Sequence, residues 1–182
     1  VQKANPPFVA AQASDGDYMI SKTKGAWSVA ALVKENEVDS AMNALVTETE
    51  RVKRFGFTPS EYDRARINVL KQYESIYNDR DKQRNSAFTN EYVRHFTEGG
   101  YIPGIETEYA LIGQIAQAVP VEQVNKYVQD MIGEKNIVIS LTGPEKEGIS
   151  YPTDEELLRD FMKAQRIPVE PYKETLSNEP LI

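Results

Sequence analysis

The stretch Gly56-Phe57-Thr58-Pro59-Ser60-Glu61-Tyr62 stops one helix and starts another within a few residues. Upstream of it, Val38, Met42, Leu45, Val46, Thr49, Val52 and Phe55 recur at helical spacing along one face. Asn43, Glu50, Arg51 and Arg54 fall on the opposite, polar face, and Asn36 is the expected N-cap. Gly56 can adopt the left-handed conformation that ends a helix, which would fold Phe57 back onto Val52. Thr58 then offers a hydroxyl N-cap, Pro59 a first-turn proline, and Glu61 the carboxylate of a capping box, with Phe57 placed to staple to Tyr62. Two helices joined through so short a link must turn sharply.

Toward the C-terminus, Tyr62, Ala65, Val69, Tyr73 and Ile76 form the expected buried stripe of the second helix. The polar run from Asn78 to Asn85 carries no such stripe and predicts a kink or break. Helicity resumes through Ser86, Phe88, Tyr92, Val93 and Phe96 as far as Gly99-Gly100, and Pro103-Gly104 marks a loop. Shorter helices are expected over Glu106 to Gln117 and Val121 to Ile132, on either side of Pro120, with Gly133 capping the second. Ile137 to Leu141 is a β-branched run before Gly143-Pro144 and reads as a buried strand. Past Gly148, Pro152, Thr153 and Glu156 open one more amphipathic helix, with Leu157, Leu158, Phe161 and Met162 on its apolar side. Beyond Arg166, Pro168, Pro171 and Pro180 suggest an extended tail or linker.

Toward the N-terminus the period shortens. Phe8 to Ser14 and Tyr18 to Ser21 are β-capable runs separated by Asp15-Gly16-Asp17, a loop of hairpin length, and Ala26 to Val33 follows Lys24-Gly25. An antiparallel meander of two or three strands is expected. Together these elements predict an α+β fold, a small antiparallel sheet that includes the Ile137 strand with helices mostly on one face.

Composition bounds the chemistry. The 182 residues suit one large domain or two small ones, and 40% apolar content can furnish a core. A formal net charge of −7 opposes the phosphate neutralisation that drives nucleic-acid binding, so no nucleic-acid partner is expected. Without Cys there is no thiol nucleophile, disulfide or Cys-ligated metal, and one His cannot build a multi-histidine metal site. No apolar run approaches the ~20 residues of a membrane span. A chain that opens on Val1 and closes on Leu181 and Ile182 reads as excised from something longer.

The chemistry-bearing residues each have a plain structural alternative. Glu91 and His95 lie one helical turn apart and could form half a metal site or a general base, yet no second imidazole exists, and such pairs commonly only stabilise helices. Asp15-Gly16-Asp17 and Asn78-Asp79-Arg80-Asp81 carry calcium-type oxygens, but neither continues to the twelfth-position glutamate of an EF-hand, so turn and surface roles are expected. Trp27, with Phe8 and Tyr18 near in sequence, could form a ligand platform; a core role is the simpler reading. No glycine-rich phosphate cradle and no nucleophile elbow occur. Accordingly no catalytic, cofactor-binding or metal residue is assigned.

The order of motifs nevertheless resembles a known family. Thr47-Glu48-Thr49-Glu50-Arg51-Val52, Gly56-Phe57-Thr58, Arg64-Ala65-Arg66 and Leu70 follow one another as in the second, non-catalytic domain of pitrilysin-like (insulinase-type, inverzincin) zinc metallopeptidases. Pro103-Gly104-Ile105-Glu106, Val124-Asn125, the Asn136 to Leu141 run and Gly143-Pro144 are similar to that family's closing pattern. Pro152 to Leu158 and Tyr172 to Leu181 resemble the connector between the halves of a fused member. The resemblance implies a partial metalloenzyme LuxS/pitrilysin-like domain over 1–148, the later portion of a non-catalytic domain, followed by a helix and interdomain linker over 149–182.

What the family does then sets the functional expectation. Its zinc site is an inverted His-x-x-Glu-His motif with a distal glutamate, and no such motif occurs here; Glu91 and His95 are in the wrong order and number. Pro120 also stands where a hydroxyl N-cap would be expected. The resemblance therefore implies a zinc metalloendopeptidase as parent, with zinc held by a catalytic domain of the same chain or a paired subunit. This chain itself would hold no cofactor and cut nothing, and would support that domain and help enclose a peptide substrate in a chamber. A bacterial periplasmic or envelope location is what similar proteins imply. The stripe from Val38 to Phe55, parted from missing neighbours, is expected to favour self-association. The alternative from another class is a non-enzymatic scaffold like the metal-free core subunits of protein complexes; a third, an unrelated acidic binding module, rests on composition alone.

Overall fold

The computed structural model describes residues 6–18, 21 and 23–173. In chain order the elements are strands β1 (Phe8–Asp17) and β2 (Gly25–Val33), then helices α1 (Val38–Phe55), α2 (Pro59–Asn78), α3 (Asn85–Glu98), α4 (Ile105–Ala118), α5 (Val121–Met131) and α6 (Asp154–Gln165). A single 3-10 turn, Arg80–Lys82, follows α2 in the polar run where a break is expected. The class is α+β, with a small antiparallel sheet. The chain divides into two compact units, one formed by Val1–Gly56 with Asn125–Ile182 and the other by Phe57–Val124.

In the first unit β1 and β2 pair antiparallel, with Ala11 opposite Ala31, Asp15 opposite Trp27 and Asp17 opposite Gly25, and one irregularity between Phe8 and Ala10. The ladder runs straight through Asp15-Gly16-Asp17, so these residues are strand and not the hairpin loop. The reversal comes later, where the Tyr18 N–H donates to the Lys24 carbonyl at 2.7 Å. Tyr18 and Ser21 lie outside the strands, and Met19 and Ile20 of the expected Tyr18 to Ser21 strand lie outside the described residues. The triplet stays extended because each of its residues has a partner on β2: Asp15 with Trp27, Gly16 with Ala26 and Asp17 with Gly25.

Helix α1 begins at the expected residue but is capped differently. Glu37 holds the N-cap position with no side-chain cap bond, while Asn36 has φ +61 in the turn closed by Glu37 N–H to the Lys34 carbonyl. Asn tolerates that left-handed conformation better than most side chains, so it is used for the turn and not as the cap. The most buried residues of α1 are Ala41, Val46 and Glu50; Met42, Leu45, Thr49 and Val52 of the expected stripe are half-buried, whereas Phe55 is exposed and Glu50, read as polar surface, is buried. Glu50 pairs with Arg54 at 3.0 Å, which offsets the burial of a polar side chain. α1 packs along α6 and also against β2. The core of this unit is completed by Val128, Ile132, Leu157 and Ala164. Ala41 and Ala164 are almost wholly enclosed, and side chains this small let helices approach closely.

The α6 N-terminus is the expected capping box: Thr153 Oγ1 accepts from Glu156 N–H at 3.3 Å, and Glu156 Oε2 accepts from Thr153 N–H at 2.9 Å. By contrast, Ile137 to Leu141 is no strand. Among the described residues it has no ladder partner, and Val138 is 68% exposed. β-Branched composition marks a segment suited to a sheet, but pairing needs a neighbour.

The second unit is built on α2 and α4. At the start of α2, Thr58 Oγ1 accepts from Glu61 N–H at 3.2 Å and Glu61 Oε2 accepts from Thr58 N–H at 2.8 Å, with Pro59 in the first turn. From there the two helices run antiparallel as a ladder of contacts. Tyr62 Oη donates to the Val119 carbonyl at 2.5 Å, Arg66 reaches the Ala116 carbonyl, Tyr77 stacks on Tyr109 at 4.8 Å, and Arg80 pairs with Glu106 at 3.4 Å. The seam thus runs through Tyr62, Arg66, Tyr73 and Tyr77, whereas Ala65 and Val69 of the expected stripe are exposed. None of the described residues of this unit is fully buried. α3 ends where expected, with Gly99 in the left-handed conformation and its N–H on the His95 carbonyl at 2.9 Å.

Candidate functional site

The residues singled out by chemistry are scattered and individually occupied. His95 lies exposed in the last turn of α3, and its Nδ1 meets the Gly100 carbonyl at 2.5 Å. A carbonyl only accepts, so that nitrogen carries the proton and the ring serves to tie the helix end to the following loop. Glu91, one turn earlier, is half-buried. Asp15 accepts from Tyr127 Oη at 3.0 Å, linking β1 to α5, and that bond raises the phenol pKa above its ordinary value. Asp79 pairs with Lys82 at 3.0 Å, and Arg80 lies over the Tyr77 ring at 4.4 Å. Trp27 is half-buried in β2, with its Nε1 buried and unpaired among the described residues.

Each unit carries a concave surface. In the first unit a polar cleft of about 240 Å³ is lined by Asn36, Asp39, Tyr151, Glu156, Arg159 and Asp160. Its carboxylates are partly committed already, Glu156 to the α6 cap and Asp160 to Arg159 at 3.6 Å. In the second unit a groove of about 500 Å³ runs between α2 and α4, floored by Ile67, Leu70, Tyr109, Ala110 and Gly113 with Lys71 and Glu74 at its rim. A Cβ on Gly113 would meet nothing within 4 Å, so the groove is open at that point. Sequence reading missed this groove. The available signal was α4 itself, where Ala110 and Gly113, one turn apart, leave room beside α2.

Neither surface fits a hydrolytic zinc. Such a centre takes three protein ligands, usually with imidazoles among them. The chain has one imidazole, with Nδ1 engaged at Gly100, and among the described residues no group of three His, Cys, Asp or Glu converges. The groove between α2 and α4 is largely apolar, with Lys71 and Glu74 among its lining residues. Among the described residues no helix is long and apolar enough to cross a membrane.

Comparison with known proteins gives the fold a context. No protein-family model matches the chain. It is 24% identical over 135 residues to a zinc protease PQQL-like protein of Arabidopsis thaliana, an alignment covering 64% of this chain and 14% of that protein. Among solved structures, a predicted insulinase-family protease from Yersinia pestis superposes with TM-score 0.72 at 10% identity, covering 89% of this chain and 34% of that one. The first half of the periplasmic protease PqqL from Escherichia coli superposes with TM-score 0.69 at 12% identity, covering 92% and 36%. The chain thus spans about a seventh of the plant relative and about a third of each solved chain, and it has the fold of part of an insulinase-family protease half.

Proposed function

We infer that the chain is a supporting, non-catalytic part of an insulinase-type zinc peptidase. It packs beside a zinc-bearing catalytic domain, in the same polypeptide or a paired subunit, and contributes wall to the chamber that encloses a peptide. Residues 1–148 supply that wall, and 149–182, anchored through α6 on α1, lead toward the next half. One observation carries the reading: about nine-tenths of the chain superposes on portions of two such proteases, while its donor set cannot build their type of metal centre. Zinc and peptide hydrolysis then belong to the parent.

The test is direct. Purified chain, stripped with chelator and reloaded with zinc, should retain far less than one metal per molecule and leave fluorogenic oligopeptides intact. In the parent enzyme, His95→Ala should leave peptide cleavage within about twofold of wild type, well under the 10²-fold or greater loss typical of removing a catalytic group. One tight zinc per chain, or cleavage abolished by His95→Ala, would overturn the reading. Discovery that the parent lacks His-x-x-Glu-His, in the chain and in any paired subunit, would instead favour the scaffold.

A further inference from the structure

The helix whose stripe was expected to favour self-association meets other parts of this chain: α1 packs on α6 and β2, and the segment that follows α6 is bound to it as well. Two guanidinium groups make that second attachment. Arg54 Nη2 donates to Glu50 at 3.0 Å and to the Gln165 carbonyl at 3.2 Å, which satisfies one of the carbonyls left over at the end of α6. Arg51 is set more firmly. Glu48 accepts from its Nε at 2.9 Å and from its Nη2 at 3.1 Å, a two-bond fork that fixes the guanidinium plane. The remaining Nη1 donates to the Glu170 carbonyl at 2.6 Å.

The chain beyond α6 is built to dock and release. Ile167 still belongs to the helix end, because its N–H donates to the Ala164 carbonyl at 3.1 Å. Over residues 168–173 no backbone N–H is hydrogen-bonded among the described residues, and only Val169 and Tyr172 are half-buried. Pro168 and Pro171 fix their own φ and bias Ile167 and Glu170 toward extended backbone, so the segment is stiff whether bound or free. A stiff segment loses little chain entropy on docking and is held by few contacts. α6, by contrast, is fixed through Leu157 and Ala164 in the core.

We propose that residues 168–173 form a strap closed on α1 by one clasp, the Glu48–Arg51 fork on the Glu170 carbonyl, and that the strap opens at Ile167 while α6 stays docked. Closed, it fixes where the chain beyond Lys173 leaves this unit. Open, it swings out as a stiff arm and adds roughly 20 Å of reach at ~3.1 Å per residue. Opening of this local kind draws on the least buried parts of a fold. Resting on the reading of 149–182 as the lead toward the next half, the clasp sets how far that next part can travel from this one.

Because the 182-residue chain has no native Cys, spin labels at Ser40→Cys on the exposed side of α1 and at Lys173→Cys report the strap through their separation, measured by double electron–electron resonance. One short, narrow distance should dominate in that background. Arg51→Met should shift the closed-to-open ratio about tenfold toward open, the effect of losing a hydrogen bond from a charged donor, seen as a longer and broader component. Glu48→Leu, which leaves Arg51 in place but unaligned, should act in the same direction more weakly. Arg54→Met should leave the distance narrow, since the carbonyl it holds belongs to α6. A broad distribution before any clasp residue is changed, Arg51→Met without effect, or Arg54→Met opening the strap as far as Arg51→Met would overturn the proposal. The distances are read on the isolated chain, so their failure removes the clasp and leaves the peptidase reading standing. Failure of that reading removes only the role of the clasp in a parent.

Discussion

Gly56 shows how much one missing carbon can decide. Its backbone takes φ +69, and a Cβ there would run into the Asn125 side chain. Gly56→Ala should therefore cost about 1–3 kcal/mol, combining backbone strain with a collision, and a thermal melt will read it as a lowered midpoint. Thr58→Ala, which removes one half of the α2 capping box, should cost about 1 kcal/mol by the same measurement. At the surface, Lys53 donates to Glu134 at 2.9 Å and holds that carboxyl below its ordinary pKa. A depressed carboxylate stabilises the fold above its unfolded pKa, and the contribution is lost as pH falls through the lower folded value. Glu134 is exposed, so the effect on stability is small, but an NMR titration should show its midpoint rising when Lys53→Met removes the partner. The capping residues were legible because a box needs only the right side chains at fixed spacing. Asn36 and Glu50 were not, because a turn took Asn36 and Arg54 allowed Glu50 to be buried.

At the scale of elements, every helix from α1 to α6 was readable, and the inward side was readable in part: Val46 and Leu157 of the expected stripes are buried, whereas Phe55, Ala65 and Val69 are exposed. Periodicity locates a stripe, but the neighbour chooses the side. Of the stripe expected on α2, Tyr62 is used and Ala65 and Val69 are not; Arg66 and Tyr77 join Tyr62 because α4 and its C-cap present carbonyls and a ring for those longer side chains to reach. Strands were less legible for the same reason. Ile137 to Leu141 has sheet composition with no ladder beside it, and Asp15-Gly16-Asp17 has turn composition and pairs with β2. The candidate groove depended on α2 and α4 meeting, which no local pattern announces. Where packing is dense, its cost is measurable: Leu157→Ala in α6 should destabilise the protein by about 2–3 kcal/mol in a urea titration, with the midpoint falling.

Across the whole molecule, the buried residues are distributed unevenly. Ala41, Val46, Glu50, Val128, Ile132, Leu157 and Ala164 all belong to the first unit. Local opening should track that burial, so native-state hydrogen exchange is expected to protect the amides of α1 and α6 more strongly than those of α2 through α4. Comparable protection in both units would contradict this. The first unit is also discontinuous, its two parts separated by Phe57–Val124. On a ribosome adding ~5–20 residues per second, α1 emerges several seconds before the α6 surface it needs. Until then its apolar side is open to chaperones, and folding of the inserted segment in the interval would shorten the loop left to close.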